Sequence, residues 1–154
     1  TINRKTGTET LTVKIPPGVK TGSRVRVAGK GDQGHGGGPA GDLFITIDVK
    51  DHPSFRRVDD DIYVDVPVTV KEAVLGAEVR VPTIDGHTTV RIPPGTSSGQ
   101  KLRIKGKGVR TPARHGDEYL VISIEVPKKP DPGSKELIEE FDRINPYEPR
   151  KGLW

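Results

Sequence analysis

Residues Thr12–Gly31 read TVKIPPGVKTGSRVRVAGKG, and Thr89–Gly108 read TVRIPPGTSSGQKLRIKGKG. At an offset of 77 residues, 11 of these 20 positions carry the same residue, and others exchange like for like, Lys14 with Arg91 and Val25 with Leu102. Chance does not produce such a match, so the chain holds two copies of one structural unit. Two copies at so long a period make duplicated domains rather than a solenoid, which stacks three or more short repeats.

Within each copy the hydrophobic period is two. Leu11, Val13 and Ile15 alternate with Thr12 and Lys14 up to Pro16-Pro17-Gly18; Val25 and Val27 alternate with Arg24 and Arg26; Leu43, Ile45, Ile47 and Val49 follow. The second copy answers with Val90 and Ile92, Leu102 and Ile104, then Leu120, Ile122, Ile124 and Val126. Alternation with prolines between the runs predicts half-buried strands, and each copy is expected to form a small antiparallel sandwich or partial barrel. The second copy opens earlier, with Asp61–Ala77 (DIYVDVPVTVKEAVLGA), which offers a strand through Ile62, Val64, Val66 and Val68. A short helical turn follows, started by the Thr69/Glu72 capping box and stopped at Gly76. The first copy has no counterpart to these 17 residues, so its sheet is expected to show an open strand edge, or to borrow a strand, with the missing piece upstream of Thr1. The chain lacks Met altogether and reads as a fragment.

One long helix is predicted near the end. Asp131 and Pro132 supply an N-cap and an N1 proline, Leu137, Ile138, Phe141 and Ile144 share one face, and Asn145-Pro146 ends the run. A lone helix of this length needs a surface for its apolar face, either its own sandwich or a twin helix from a second chain. The expected division is therefore 1–57 for the first β domain, 58–130 for the second and 131–154 for the helix and tail.

Composition narrows the function. Of 154 residues, 31% are hydrophobic, 5% aromatic and 30% charged, with 19 glycines and 14 prolines, a density that punctuates strands without reaching low-complexity disorder. No cysteine is present, which excludes disulfides, thiolate zinc sites and cysteine nucleophiles. The sequence shows neither an 18-residue apolar run nor a basic-then-apolar leader, so the reading is a soluble, cytoplasmic protein away from membranes. The net charge of +4 is spread among interleaved acids and bases, as on a solvated surface.

Candidate chemical motifs dissolve on inspection. Gly29–Gly34 satisfies G-x-G-x-x-G but runs into His35-Gly36-Gly37-Gly38-Pro39, which cannot open the helix a dinucleotide site requires. The histidines at 35, 52, 87 and 115 lack metal-ligand spacing, and Asp59-Asp60-Asp61 lacks the alternation of a calcium loop and reads as a solvated hinge. Ser97 and Ser98 have no nucleophile context. The expectation is a protein without catalytic residues, metal or cofactor. Phe55, in His52-Pro53-Ser54-Phe55, either caps a core or lines an apolar groove at a sheet edge. Arg24, Arg26, Lys101, Arg103, Lys105 and Lys107 on strand faces leave a nucleic-acid-binding β module as the alternative reading.

The IPPG and GKG repeats, GDLFITIDVKDHPSFRR, DIYVDVPVTVKEAVLGAEVRVPTIDG and the terminal helix together resemble the C-terminal half of J-domain co-chaperones, the DnaJ family, in its members without a zinc-binding insertion. The resemblance covers nearly the whole chain. It implies a mainly β fold of two tandem, structurally similar antiparallel β-sandwich domains followed by a C-terminal amphipathic helix. It further implies that Leu137, Ile138, Phe141 and Ile144 form a homodimer contact, and that unfolded client polypeptides bind an apolar groove on the first sandwich. Carried over by position, that groove comprises Ile2, Leu11, Val13 and Phe55. The implied recipient of clients is a DnaK-type heat-shock chaperone, contacted in part through its C-terminal tail. His52-Pro53 continues as Ser54 on a strand end and is not the family's J-domain signature.

Overall fold

A computed structural model describes residues 2–4 and 7–153; Thr1, Lys5, Thr6 and Trp154 lie outside the described residues. The first copy contributes β1 (Ile2–Arg4), β2 (Gly7–Glu9), β3 (Arg24–Val27) and β4 (Leu43–Thr46). β5 (Arg56–Val58) straddles the expected boundary between 57 and 58 and pairs with the second unit, which contributes β6 (Asp61–Thr69), α1 (Val70–Leu75), β7 (Ala77–Thr83), β8 (Gly86–Ile92), β9 (Lys101–Ile104) and β10 (Glu118–Glu125), and α2 (Pro132–Ile144) closes the order. The architecture is mainly β, as its alternation predicts.

In the second unit a four-stranded sheet, β5-β6-β10-β9, faces the hairpin β7–β8. The inward row of β6 (Ile62, Val64, Val66, Val68) meets Leu120 and Ile122 of β10, Val81 and Ile92 of the hairpin, and Ala73 of α1 in one buried cluster. Thr69 caps α1, and its hydroxyl accepts the Glu72 N–H at 3.2 Å while Glu72 accepts the Thr69 N–H at 2.8 Å. The expected all-antiparallel pairing is corrected at one place: β6 and β10 run parallel, with Ile62 opposite Glu118 and Val64 opposite Leu120. The excursion between them, containing α1, the β7–β8 hairpin and β9, is long enough to return the chain in the same direction.

The first unit repeats part of this plan. β3 pairs with β4 as β9 pairs with β10, and the hydrogen bonds recur: Gly22 N–H to the Ile47 carbonyl at 2.8 Å matches Gly99 N–H to the Ile122 carbonyl at 2.7 Å. Among the described residues β4 pairs with β3 alone, so the edge that β10 offers to β6 is open on β4. The predicted strand Leu11–Ile15 is not formed. Ile2 stands opposite Glu9, whereas Val79, its equivalent at the 77-residue offset, stands opposite Val90. Among the described residues, Leu11, Val13 and Ile15 fall beyond the paired positions, and a segment that pairs with no strand has no ladder to join. The segment His35–Gly37, read as unable to be helical, makes a single 3-10 turn, which Gly36 allows by leaving helical geometry at φ 67°.

Asp59-Asp60-Asp61 forms a hairpin turn rather than a hinge. Val58 pairs with Asp61, making Asp59 and Asp60 the two-residue turn of the β5–β6 hairpin, with Asp59 at φ 55°. Lys20 holds Asp59 at 3.0 Å, and Asp61 accepts the Asp117 N–H at 2.8 Å. Asp59 stays exposed at the tip of that turn, while Asp60 and Asp61 are half-buried.

Candidate functional site

The two units meet around Arg57. Its guanidinium donates to the carbonyls of Gly18 and Val19, each at 2.8 Å, and its Nε–H to the Asp59 carbonyl at 2.7 Å. Gly18 sits at φ 81° against Thr111 and the Arg110 carbonyl, where an added Cβ would collide. The Ile-Pro-Pro-Gly loop of the first copy is thereby tied to the β5–β6 turn and the 109–111 segment of the second.

Beside this tie lies a cleft of about 810 Å³. Val19, Val49, Phe55, Ile62 and Ile84 supply its apolar lining, and Lys20, Lys50, Arg56 and Asp51 stand among its charged lining residues. Phe55 packs against the second unit's core, and the His52 ring lies 4.7 Å from its centroid. Phe55 rests on that core and borders the cleft. Ile2, Leu11 and Val13 are half-buried on the first unit and do not border this cleft. Val49 was legible as the end of an alternating run, and Ile84 as an isoleucine stranded in a Thr-Ile-Asp-Gly turn. Arg57 gave no signal in the sequence, because its role depends on carbonyls 38 and 39 residues away.

The second candidate surface is α2. Asp131 accepts the Ser134 N–H at 3.0 Å, with Pro132 in the first turn, as its sequence predicts. The helix buries no side chain: Leu137 is 72% exposed, Ile138 58%, Phe141 40% and Ile144 63%. An apolar stripe left this open is a candidate interaction surface.

The basic strand residues are largely engaged within the fold. Arg26 bonds Asp42, Arg103 bonds Asp117 and Lys107 bonds Asp85. Arg24 lies 4.7 Å over the Phe44 ring, and Lys101 5.4 Å over the Tyr63 ring. This arrangement lends no support to the nucleic-acid reading. Among the described residues, no group of acids and histidines suited to a metal ion occurs, and no helix is long and apolar enough to cross a membrane.

The family described as the DnaJ C terminal domain matches residues 1–127. The chain is 46% identical over 147 residues to the Chaperone protein DnaJ of Caldicellulosiruptor bescii, covering 92% of this chain and 38% of that protein. Against the Chaperone protein DnaJ of Paracoccus denitrificans it is 44% identical, covering 94% and 42%. Against Chaperone protein DnaJ 2 of Mycolicibacterium paratuberculosis it is 41% identical, covering 96% and 38%. The chain spans about two fifths of the length of the curated relatives it matches.

Proposed function

The chain belongs to the DnaJ C-terminal domain family, and on that premise we propose that it is the client-binding and dimerisation module of a J-domain co-chaperone. It holds unfolded polypeptides and passes them to a DnaK-type heat-shock chaperone, working as a non-enzymatic homodimer of two β units, 1–57 and 58–130, joined through the 131–154 segment. The observation that carries the reading is the pair of open apolar surfaces, the Phe55 cleft and the α2 stripe.

The physics suits loose holding. Burying one large apolar side chain contributes roughly 1.5–3 kcal/mol. Two or three such anchors, less the cost of ordering the client, reach about micromolar affinity, near −8 kcal/mol. Phe55 is the anchor in the cleft; Ile2, Leu11 and Val13 are the further anchors assigned to the first unit. Pairing α2 with its copy through Leu137, Ile138, Phe141 and Ile144 adds avidity, up to ~10²–10⁴ when one client reaches both protomers.

Two measurements test this. Phe55→Ala and Val49→Asp, the latter an exposed position in the cleft, should each weaken binding of an unfolded model peptide in the parent protein. Retention of wild-type affinity by both removes the cleft from the site. Leu137→Asp with Phe141→Asp should halve the mass by light scattering, and an unchanged mass overturns the dimer.

A further inference from the structure

Glu118 occupies a position where the chain's own repeat has a leucine. Ile104 stands opposite Glu118 and Val27 opposite Leu43. Val27 and Ile104 are the same position of the duplicated stretch, so Glu118 and Leu43 are equivalent, and the repeat offset contracts from 77 to 75 across the intervening loop. Glu118 has 0% exposure, begins the inward row that continues with Leu120 and Ile122, and lies between Ile62 of β6 and Ile104 of β9. Neither carboxyl oxygen has a hydrogen-bond partner. A buried carboxyl without bonds resists ionisation.

The neighbouring charges are committed elsewhere. Lys107, the cation that acts on Glu118, is tied to Asp85 at 3.3 Å. Asp117 faces Arg103 and the Gly106 N–H, Asp61 accepts the Asp117 N–H, and Lys101 lies over Tyr63. Lys105 acts on Asp117, Arg110 bonds His115 and Asp85, and Arg57 bonds Asp60. Glu78, Arg80 and Arg91 of the facing hairpin point to solvent. Burial pushes the Glu118 carboxyl up to about 7, with Lys107 opposing in part.

We propose that Glu118 is a proton-operated latch of the second unit: neutral, it lets the end of the sheet where β6, β10 and β9 meet close over the core, and ionised, it loosens that end. In the unfolded chain this carboxyl ionises at its ordinary, lower value. Stability is therefore fullest on the acid side, falls as the pH climbs from the ordinary carboxylate range towards neutrality, and levels off above the folded group's own value. Ile62, the register partner of Glu118, also lines the cleft, so the loosened end borders that surface whatever occupies it.

The test is denaturant unfolding of the full chain between pH 5.5 and 8.5, comparing wild type with Glu118→Gln and with Glu118→Leu, the residue of the repeat. The wild-type unfolding constant should rise roughly 30-fold across this window, while both variants change less than about threefold and exceed wild-type stability at pH 8.5. Contributions common to all three proteins cancel from the comparison. At pH 8.5 the β9 and β10 amides of the wild type should also exchange faster than those of Glu118→Gln. A flat wild-type profile, or the wild-type slope persisting in Glu118→Gln, overturns the proposal.

Discussion

Asp42 accepts the Nε–H of Arg26 at 2.6 Å on one carboxyl oxygen and the N–H of Gly29 at 2.9 Å on the other. Asp117 repeats the clasp with Arg103 and Gly106, both at 2.7 Å. The backbone N–H, foremost, and the guanidinium hold both carboxyls below the usual carboxylate range. The duplication thus extends from residue identity to individual hydrogen bonds, each clasp pinning the turn after one strand to the start of the strand it pairs with.

These clasps predict an acid response opposite in sign to that of Glu118. A carboxyl whose folded value is depressed contributes stability above its unfolded value, and loses it as the pH falls through the folded one. Asp42→Asn and Asp117→Asn should lower the urea midpoint at pH 7 and flatten its decline below about pH 4. Equal decline in wild type and both variants would show that the clasps contribute nothing.

Arg57→Ala should uncouple the units. It removes three charge-assisted bonds to carbonyl oxygens, each worth about 1.5–3 kcal/mol before the side chain's ordering cost is subtracted. Arg57→Lys cannot restore them, because a single ammonium lacks the planar fork. Proteolysis near Gly18–Val19 should accelerate in both variants, and calorimetry should show unit transitions drawn apart.

Core substitutions should separate the units energetically. Leu120→Ala, at a side chain with 0% exposure, should cost about 2–5 kcal/mol by urea unfolding. Val25→Ala, at a half-buried position on β3, should cost clearly less, since the first unit has no fully buried side chain among the described residues. Equal losses would contradict a core concentrated in the second unit.

What was legible in the sequence was local. The Thr69/Glu72 box, the Asp131 cap and the alternation in β6 and β10 all appear where the pattern places them, because each depends on residues within a few positions. The Leu11–Ile15 strand failed although its alternation is sound, because a strand also needs a partner in register. Glu118 was not legible as core, because a charged residue between Asp117 and Tyr119 reads as surface. Only its pairing with Ile62 and Ile104 reveals it as core.

The linear chain by itself determined the duplication, the β class, both helices with their caps, and the apolar stripe of α2, since short-range sterics and periodic burial are written residue by residue. The tertiary structure alone decided the parallel match of β6 with β10, the cleft where Phe55 meets Val19, Val49 and Ile84, and the tie that Arg57 makes between the units. Those relationships join residues tens of positions apart, and their energy comes from shape and hydrogen-bond geometry that exist only after the layers have packed.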